Sequence, residues 1–304
     1  MSSSNERLHN ISGPEFEHST SQAEWWYFDA TSQDGIGLVV IFYSHLGQNN
    51  PTVSAFVNEP NKPIVAYHEV SDDKFVSSSS QYLKLSNHKV TIENGAYHLE
   101  SNSDRAKIDL LFDPLLPSQN MHLTDERMFW KVEVPRAKVT GAIISGEKVM
   151  PFNGEGYHDH NWFNGFDIKD TDNNREVLST LLKGWKFGRF FGDRLGCVYG
   201  FNDKERHLLT YKDGHLAGSY DSFHIGSEGS TMHERLGYFY PNSLTLASDN
   251  FLLQVRPSVI LTDNILTIDG NGKVESAYIR FLSEGTLQTG DIVETNKGLS
   301  EIWF

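Results

Sequence analysis

The chain contains a single cysteine, Cys197, among its 304 residues. One cysteine cannot form an intramolecular disulfide, and it cannot supply the several thiolates of a cysteine-based zinc site. Basic residues are also scarce, because 26 lysines and arginines stand against 40 aspartates and glutamates, for a formal net charge of -14. An acidic chain without a basic block argues against nucleic acid and anionic membranes as partners.

Long apolar runs and cofactor fingerprints are lacking as well. No run approaches the length of a membrane-spanning helix, and residues 1–21 are polar, without the apolar core of a secretory signal. We therefore expect a cytoplasmic protein, monomeric or homodimeric, with no stable membrane insertion. No Gly-x-Ser-x-Gly elbow, phosphate-binding loop or dinucleotide fingerprint is present, which predicts no nucleotide or flavin cofactor.

Helical periodicity is nearly absent, and short runs rich in β-branched and aromatic residues take its place. The predicted strands are residues 36–43, 53–57, 64–70, 107–112, 129–134, 137–144, 177–182, 196–201, 207–211, 251–255, 265–268, 276–282 and 302–304. Turn signals such as Asn94-Gly95 separate them, since asparagine and glycine accept positive φ. The pattern predicts an all-β protein. A polar stretch at residues 170–175 is the predicted junction of two domains, 1–170 and 171–304.

The segment from Gly154 to Trp162, Gly-Glu-Gly-Tyr-His-Asp-His-Asn-Trp, concentrates carboxylates, histidines and aromatic rings in nine positions. Alternate side chains of a strand share a face. The two predicted faces are Tyr157, Asp159 and Asn161 on one side, and His158, His160 and Trp162 on the other. Proton-transfer groups beside aromatic rings are typical of a pocket for acid–base chemistry on an apolar ligand.

His158 and His160 are candidate metal ligands, because two histidines on one strand face can bind one ion. No carboxylate follows His160 closely enough to complete such a site, so we predict no metal, although a distant histidine could supply a third ligand. The structural alternative is a hydrogen-bonded network in which Asp159 or Glu155 orients an imidazole that anchors a loop. The sequence leaves these alternatives open.

A second cluster, Glu24-Trp25-Trp26-Tyr27-Phe28-Asp29, lies far upstream. Alternation sends Glu24, Trp26 and Phe28 to one face of a strand and the other three side chains to the opposite face. A carboxyl group among aromatic rings loses hydration, which disfavours its charged form. Glu24 is therefore our first choice of proton donor, followed by Asp159, and we expect the two clusters to lie close together because each carries polar groups that need partners.

The segment from Lys183 to Asp193 alternates cations with aromatic residues. An RNA-binding surface would use such rings for stacking, but the overall negative charge favours a barrel strand with inward aromatics and outward cations. If Trp185 and Phe187 face a cavity, their rings could stabilise positive charge that develops on a substrate.

The Glu-Trp-Trp-Tyr-Phe run at residues 24–28 and the Gly-x-Gly-Tyr-x-Asp-His-Asn-Trp run at residues 154–162 resemble the two motifs of the AttH/CrtC superfamily. That group includes carotenoid hydratases (hydroxyneurosporene synthases), kievitone hydratase-like proteins and fungal cyclases such as decalin-forming Diels–Alderases. The resemblance implies two lipocalin-like antiparallel β-barrel domains, a ligand site between or inside them, and no redox or nucleotide cofactor. The Tyr-Asp pair of the carotenoid hydratases is not matched near Tyr199-Gly200-Phe201, which argues against carotenoid hydration itself.

Together the residues and the resemblance predict a cofactor-independent enzyme of secondary metabolism that cyclises, rearranges or hydrates a hydrophobic unsaturated molecule of isoprenoid or polyketide type. The predicted catalytic residues are Glu24, Glu155, His158, Asp159 and His160. The predicted substrate-binding residues are Trp26, Tyr157, Trp162, Trp185 and Phe187. The alternative is a non-catalytic lipocalin-like carrier of a hydrophobic small molecule, which needs a cavity but no perturbed carboxyl group.

Overall fold

The computed structural model describes residues 21–46, 50–73, 75–78, 82–121, 128–164, 179 and 182–304. Within these residues the chain is almost entirely β-strand, and its strands pair antiparallel into two sheets. It divides into two compact units, Met1–Asp172 and Asn173–Phe304. The predicted all-β class is therefore confirmed. No helix in the described part of the chain is long and apolar enough to cross a membrane.

The first unit contains the strands β1 (Ser21–Ser32), β2 (Gly37–Leu46), β3 (Thr52–Asn58), β4 (Val65–Val70), β5 (Val76–Ser78), β6 (Tyr82–Leu85), β7 (His88–Glu93), β8 (Ala96–Asn102), β9 (Lys107–Pro114), β10 (Gln119–Met121), β11 (Met128–Ser145) and β12 (Lys148–Asn164). Hydrogen bonding orders them β4-β3-β2-β1-β12-β11-β9-β8-β7-β6-β5, with β10 paired to β11. The strands that carry the two sequence motifs, β1 and β12, are therefore neighbours at the middle of this sheet.

The first sheet curls around one core, into which alternate side chains of its strands pack. In β9 every second residue is buried, and Ile108, Leu110 and Phe112 point inward. The same core receives Tyr67 from the edge strand β4 and Leu83 from β6, near the other edge of the sheet. Each fully buried side chain of this kind contributes about 1.5–3 kcal/mol to folding, so closing the sheet into a barrel is strongly favoured.

Polar side chains join the two ends of the first sheet. The Tyr67 hydroxyl lies 2.5 Å from Ser101 Oγ, and Ser101 Oγ lies 2.7 Å from His88 Nδ1. The other ring nitrogen of His88 lies 2.9 Å from Glu69 Oε2. Because Tyr67 and Glu69 belong to β4 whereas His88 and Ser101 belong to β7 and β8, this chain of hydrogen bonds ties one edge strand to strands near the other edge of the sheet. We call these four residues the seam cluster.

The second unit contains the strands β13 (Lys186–Phe191), β14 (Leu195–Phe201), β15 (Arg206–Lys212), β16 (His215–Tyr220), β17 (His224–Met232), β18 (Phe239–Ser248), β19 (Phe251–Ile268), β20 (Val274–Thr289) and β21 (Ile292–Trp303). They form one sheet in the order β16-β15-β14-β13-β21-β20-β19-β18-β17. Tyr220 and Ile225, from the two edge strands, pack on the same core as Phe190 from β13 and Leu253 from β19. The second sheet therefore also curls around a core of its own.

Two-residue turns close the hairpins that the sequence marks. Asn94 and Gly95, between β7 and β8, have φ values of 53° and 86°. Asp213 and Gly214, between β15 and β16, have φ values of 49° and 76°. Positive φ at both central positions is the geometry that matches the right-handed twist of paired strands, and it selects Asn, Asp and Gly.

Four strands are much longer than the predicted runs, with lengths of 16 to 18 residues. The predicted runs 129–134 and 137–144 belong to the one strand β11, and 251–255 and 265–268 belong to β19. Their pairing shifts register near Pro135 and at Pro257, so the strands bend at bulges and continue. The predicted strand at 177–182 is wrong at Ser179 and Leu182, which are helical, and otherwise lies outside the described residues, as does the predicted junction at 170–175.

The seam cluster yields a stability prediction. We expect His88→Ala to lower the free energy of unfolding by about 1–3 kcal/mol, because it removes a hydrogen bond of buried Ser101 and the ring that stacks on Tyr67. The measurement is a urea titration followed by intrinsic fluorescence. His98→Ala, a control on the partly exposed face of β8, should change stability by less than about 0.5 kcal/mol. Equal effects of the two substitutions would contradict a special role for the cluster.

Candidate functional site

The pairing of β1 with β12 brings the two sequence motifs together. Trp26 lies opposite His160, Tyr27 opposite Asp159, and Phe28 opposite His158. On its other side β12 pairs with β11. The expected proximity of the two motifs is confirmed, and the alternation predicted for each strand sorts their side chains onto two separate faces of the sheet.

The inner face carries both histidines. His160 Nε2 lies 2.9 Å from Glu24 Oε1, and neither side chain exposes more than 2% of its surface. The ring of His160 stacks on Trp26, with ring centroids 4.4 Å apart. His158 stacks on Phe28 at 3.9 Å and is fully buried. This face is closed, and it is continuous with the core of the first barrel.

His158 is held neutral. The pKa of His158 is lowered to about 3, mainly by burial and to a smaller extent by His160 and Lys131, while the hydrogen bond to the Tyr27 carbonyl acts in the opposite direction. The Nδ1–H of His158 donates to the Tyr27 carbonyl at 2.9 Å, and among the described residues Nε2 has no hydrogen-bond partner. Lys131 itself is buried and forms an ion pair with Glu133 at 2.9 Å. The inner face is thus a dry, tightly packed polar layer.

The opposite face of β12 carries a hydrogen-bonded carboxyl group. Trp130 Nε1 donates to Asp159 Oδ2 at 2.9 Å, and the Tyr157 hydroxyl donates to the same oxygen at 2.7 Å. Asn161 Nδ2 donates to Asp159 Oδ1 at 2.6 Å. We call these four residues the Asp159 cluster. Unlike the histidines, Asp159 keeps 5% of its surface exposed and Asn161 keeps 9%, so this face is not wholly sealed.

Burial and hydrogen bonding act on Asp159 in opposite directions. Burial raises the pKa of Asp159 to about 7, although the bonds from Tyr157, Trp130 and Asn161 lower it. Burial also raises the pKa of Tyr157 well above its usual value, so its hydroxyl stays protonated and remains a donor. An amide can present either its NH₂ group or its oxygen. Asn161 can therefore serve both the carboxylate and, after rotating its amide, the carboxylic acid.

Aromatic rings surround the carboxyl group on this face. Tyr27 meets the ring of Tyr157 edge-on, with ring centroids 6.2 Å apart. Next along β1, Trp25 stacks on Phe163 at 5.2 Å. These rings are buried or nearly so. Their faces carry negative partial charge, which attracts cations over the ring.

A glycine of the motif makes room for the packing on the inner face. A Cβ atom at Gly156 would lie 2.5 Å from Phe112 Cε1, 2.6 Å from Val139 Cγ2 and 2.8 Å from the Asp29 carbonyl oxygen. Phe112 and Val139 belong to the core, so a side chain at position 156 would displace it. The glycine is required by close packing.

Several predicted roles need correction. Asp159 does not orient an imidazole, because it lies on the face opposite His158 and His160, and it is Glu24 that bonds His160. Glu155 forms an ion pair with Arg136 and is 37% exposed, outside the Asp159 cluster.

The predicted substrate-binding residues are likewise divided between the two faces of the first sheet and the second unit. Tyr157 belongs to the Asp159 cluster, whereas Trp26 and Trp162 lie on the inner face, where Trp162 stacks on Phe129 at 4.9 Å. Trp185 and Phe187 are buried in the second unit, and their role as pocket walls stays a prediction.

Sequence reasoning missed Trp130 as a site residue. It lies opposite Asn161 on the neighbouring strand β11, and no local pattern reveals which distant strand pairs with the motif. One signal was present: Lys131 and Glu133 are opposite charges two residues apart inside an apolar run, which indicates a buried ion pair. Among the described residues no group of three or more His, Cys, Asp and Glu side chains is placed to hold a metal ion.

The raised pKa can be measured directly. We expect the side-chain carboxyl carbon of Asp159 to titrate near pH 7 in ¹³C NMR spectra. Tyr157→Phe should move this titration to higher pH, because it removes a hydrogen bond that favours the carboxylate. Tyr97→Phe, a control on the inner face beside His158, should leave it unchanged. A titration near the ordinary aspartate value, about 3.9, would contradict the assignment.

No protein-family model and no curated protein sequence matches the chain. Solved structures do match it. An AttH-type protein from Nitrosomonas europaea superposes with a TM-score of 0.66 at 14% identity, covering 92% of each chain. Kievitone hydratase from Nectria haematococca gives 0.65 at 11% identity, over 93% of this chain and 89% of the other.

A third similar structure is CghA, determined with Sch210972, which gives a TM-score of 0.64 at 12% identity and covers 93% of this chain and 88% of its own. At such identities the likeness establishes the fold. The resemblance drawn from the two motifs is therefore confirmed for the fold, and the chain shares the lipocalin-like β-barrel fold of these three proteins.

Proposed function

We propose that this protein is an acid–base enzyme that cyclises, rearranges or hydrates an apolar unsaturated small molecule, with Asp159 as the proton donor. The observation that carries the proposal is the Asp159 cluster, a buried carboxyl group with a pKa raised to about 7 by burial and held by three donors. Perturbed carboxyl groups beside aromatic rings are typical of catalytic sites.

The cluster suits a reaction that begins with protonation of carbon. An alkene is a weak base, so it needs an undissociated acid held next to it. Burial keeps a large fraction of Asp159 protonated at neutral pH. When the proton leaves, the carboxylate finds donors from Trp130 and Tyr157 already in place. Donors placed in advance for a charge that develops during the reaction lower the barrier without reorganisation.

The resulting cation has three fates. Water adds to the cation and gives a proton to the Asp159 carboxylate, which yields the hydrated product. A second double bond of the same molecule attacks the cation, and the new cation loses a proton to the Asp159 carboxylate, which yields the cyclised product. Loss of a different proton to the Asp159 carboxylate gives rearrangement. The rings of Tyr27 and Tyr157 stabilise positive charge in each case.

The Glu24–His160 pair is less suited to the chemistry. Both side chains are enclosed, at 2% exposure or less, and His160 is stacked on Trp26. We assign the pair a positioning role, in which it fixes the register of β1 against β12. The name of kievitone hydratase adds support from a protein of the same fold, since a hydratase performs one of the three reactions.

Asp159→Asn is the decisive variant. Wild-type protein is incubated with a panel of prenylated phenols and unconjugated polyenes, and mass spectrometry detects gain of water or isobaric products. We expect Asp159→Asn to slow turnover by at least about 100-fold, because the amide has no acidic proton. The wild-type rate should fall as pH rises through about 7, since only protonated Asp159 donates.

Asp113→Asn is the matched control, because Asp113 is an exposed aspartate of the same unit, on β9. Its rate should equal that of the wild type. Wild-type turnover by folded Asp159→Asn would remove Asp159 from the mechanism. Binding of panel compounds without any conversion by the wild type would favour the carrier alternative.

Glu24→Gln separates positioning from catalysis. Glutamine keeps the shape and the hydrogen bond to His160 but cannot supply a proton, so we expect turnover within about threefold of wild type and an unchanged pH profile. A lower thermal stability is expected, because a charge-assisted bond becomes a neutral one, at a cost of about 1–2 kcal/mol. Loss of turnover with the fold intact would restore Glu24 as the acid.

A further inference from the structure

A cavity of about 420 Å³ opens at one end of the barrel in the second unit. It lies between the start of β13, the β14–β15 turn and the hairpin of β17 and β18. Its walls include Phe201, Ile225 and Leu244, all of which also belong to or pack on the core of this barrel. The cavity is therefore a barrel mouth that reaches down to the core, a common place for small-molecule binding. It contains no residue of the Asp159 cluster.

The described lining of this mouth carries more positive than negative side chains, whereas the chain as a whole is acidic. Lys186 and Arg206 line it, against the single carboxylate of Asp203 among the described lining residues. Within the described part of the chain no carboxylate lies within 4.0 Å of either cation. Lys186 donates to the Gly184 carbonyl at 3.2 Å, and Arg206 donates to the Phe223 carbonyl at 2.9 Å. Both cations retain further donors that an anion can use.

Lys186 is the better placed of the two cations. Its ammonium lies 5.4 Å from the centre of the Phe201 ring, above the apolar floor of the mouth. Burial lowers the pKa of Lys186 by disfavouring its charged form, and the Asp203 carboxylate opposes this only in part. A bound anion would stabilise the charged form, whereas a neutral ligand would not.

The apolar walls specify the rest of the ligand. Phe201 and Tyr240 offer aromatic rings, and Phe239 at the rim exposes 61% of its surface. Flat rings stack on such walls, and a volume of about 420 Å³ lies within the range of small-molecule sites.

We propose that this barrel mouth is a second ligand site, which binds an aromatic carboxylate with its rings on Phe201 and Tyr240 and its charge on Lys186 and Arg206. The site is independent of the reaction proposed for Asp159. Its ligand is recognised by charge and shape together, because Lys186 lies above the Phe201 ring and Arg206 lines the same cavity.

The test compares two probes of nearly equal shape, naphthalene carboxylate and the neutral naphthalene methanol, by isothermal titration calorimetry. We expect the wild-type protein to bind the carboxylate roughly ten-fold more tightly than the alcohol, because a charge-assisted hydrogen bond is worth more than a neutral one. Lys186→Met should remove that difference by weakening the carboxylate alone. Lys204→Met, a control at an exposed lysine of the β14–β15 turn, should change neither affinity.

Ser227→Trp locates the binding. Ser227 lines the cavity and is exposed, so an indole there fills the mouth without disturbing the core. We expect this variant to lose binding of both probes while keeping the thermal stability of the wild type. Three results would each overturn the proposal: no carboxylate binding at millimolar concentration, equal wild-type affinities for the two probes, or carboxylate binding that survives Ser227→Trp.

Discussion

The antiparallel register of β1 against β12 is the constraint on which the candidate site depends. With Trp26 opposite His160 and Tyr27 opposite Asp159, every polar side chain of the two motifs has a defined face. A slip of β12 by one residue would exchange its two faces, moving Asp159 into the core and His160 out of it, away from Glu24. The buried Glu24–His160 bond and the stacking of His160 on Trp26 both oppose such a slip.

Local patterns in the sequence predicted a large part of this arrangement. Alternation assigned the two faces of each motif correctly, because a strand has a side-chain period of two whatever its partners are. Turn residues such as Asn94-Gly95 marked hairpin turns that the structure contains. Strand lengths were underestimated, since β11 continues through its register shifts past Pro135, and a bulge cannot be distinguished from a strand end in sequence.

The sequence could not show which side chains from different strands meet in space. One hypothesis from the sequence pairs Asp159 with a histidine of its own strand, but the partners of Asp159 include Trp130, which reaches it from β11. Burial was equally inaccessible, and it is burial that raises the pKa of Asp159. The mouth of the second barrel was missed because its cations, Lys186 and Arg206, are twenty residues apart and lie on different strands.

The two faces of β12 carry different sets of side chains, and this separation affects how such a protein can evolve. Side chains that pack into the barrel core, such as His158 and His160, alternate with those that surround the Asp159 carboxyl group, such as Tyr157 and Asn161. Under the proposed function, substrate preference can therefore change by single replacements around Asp159, while the requirement for folding preserves the histidine face.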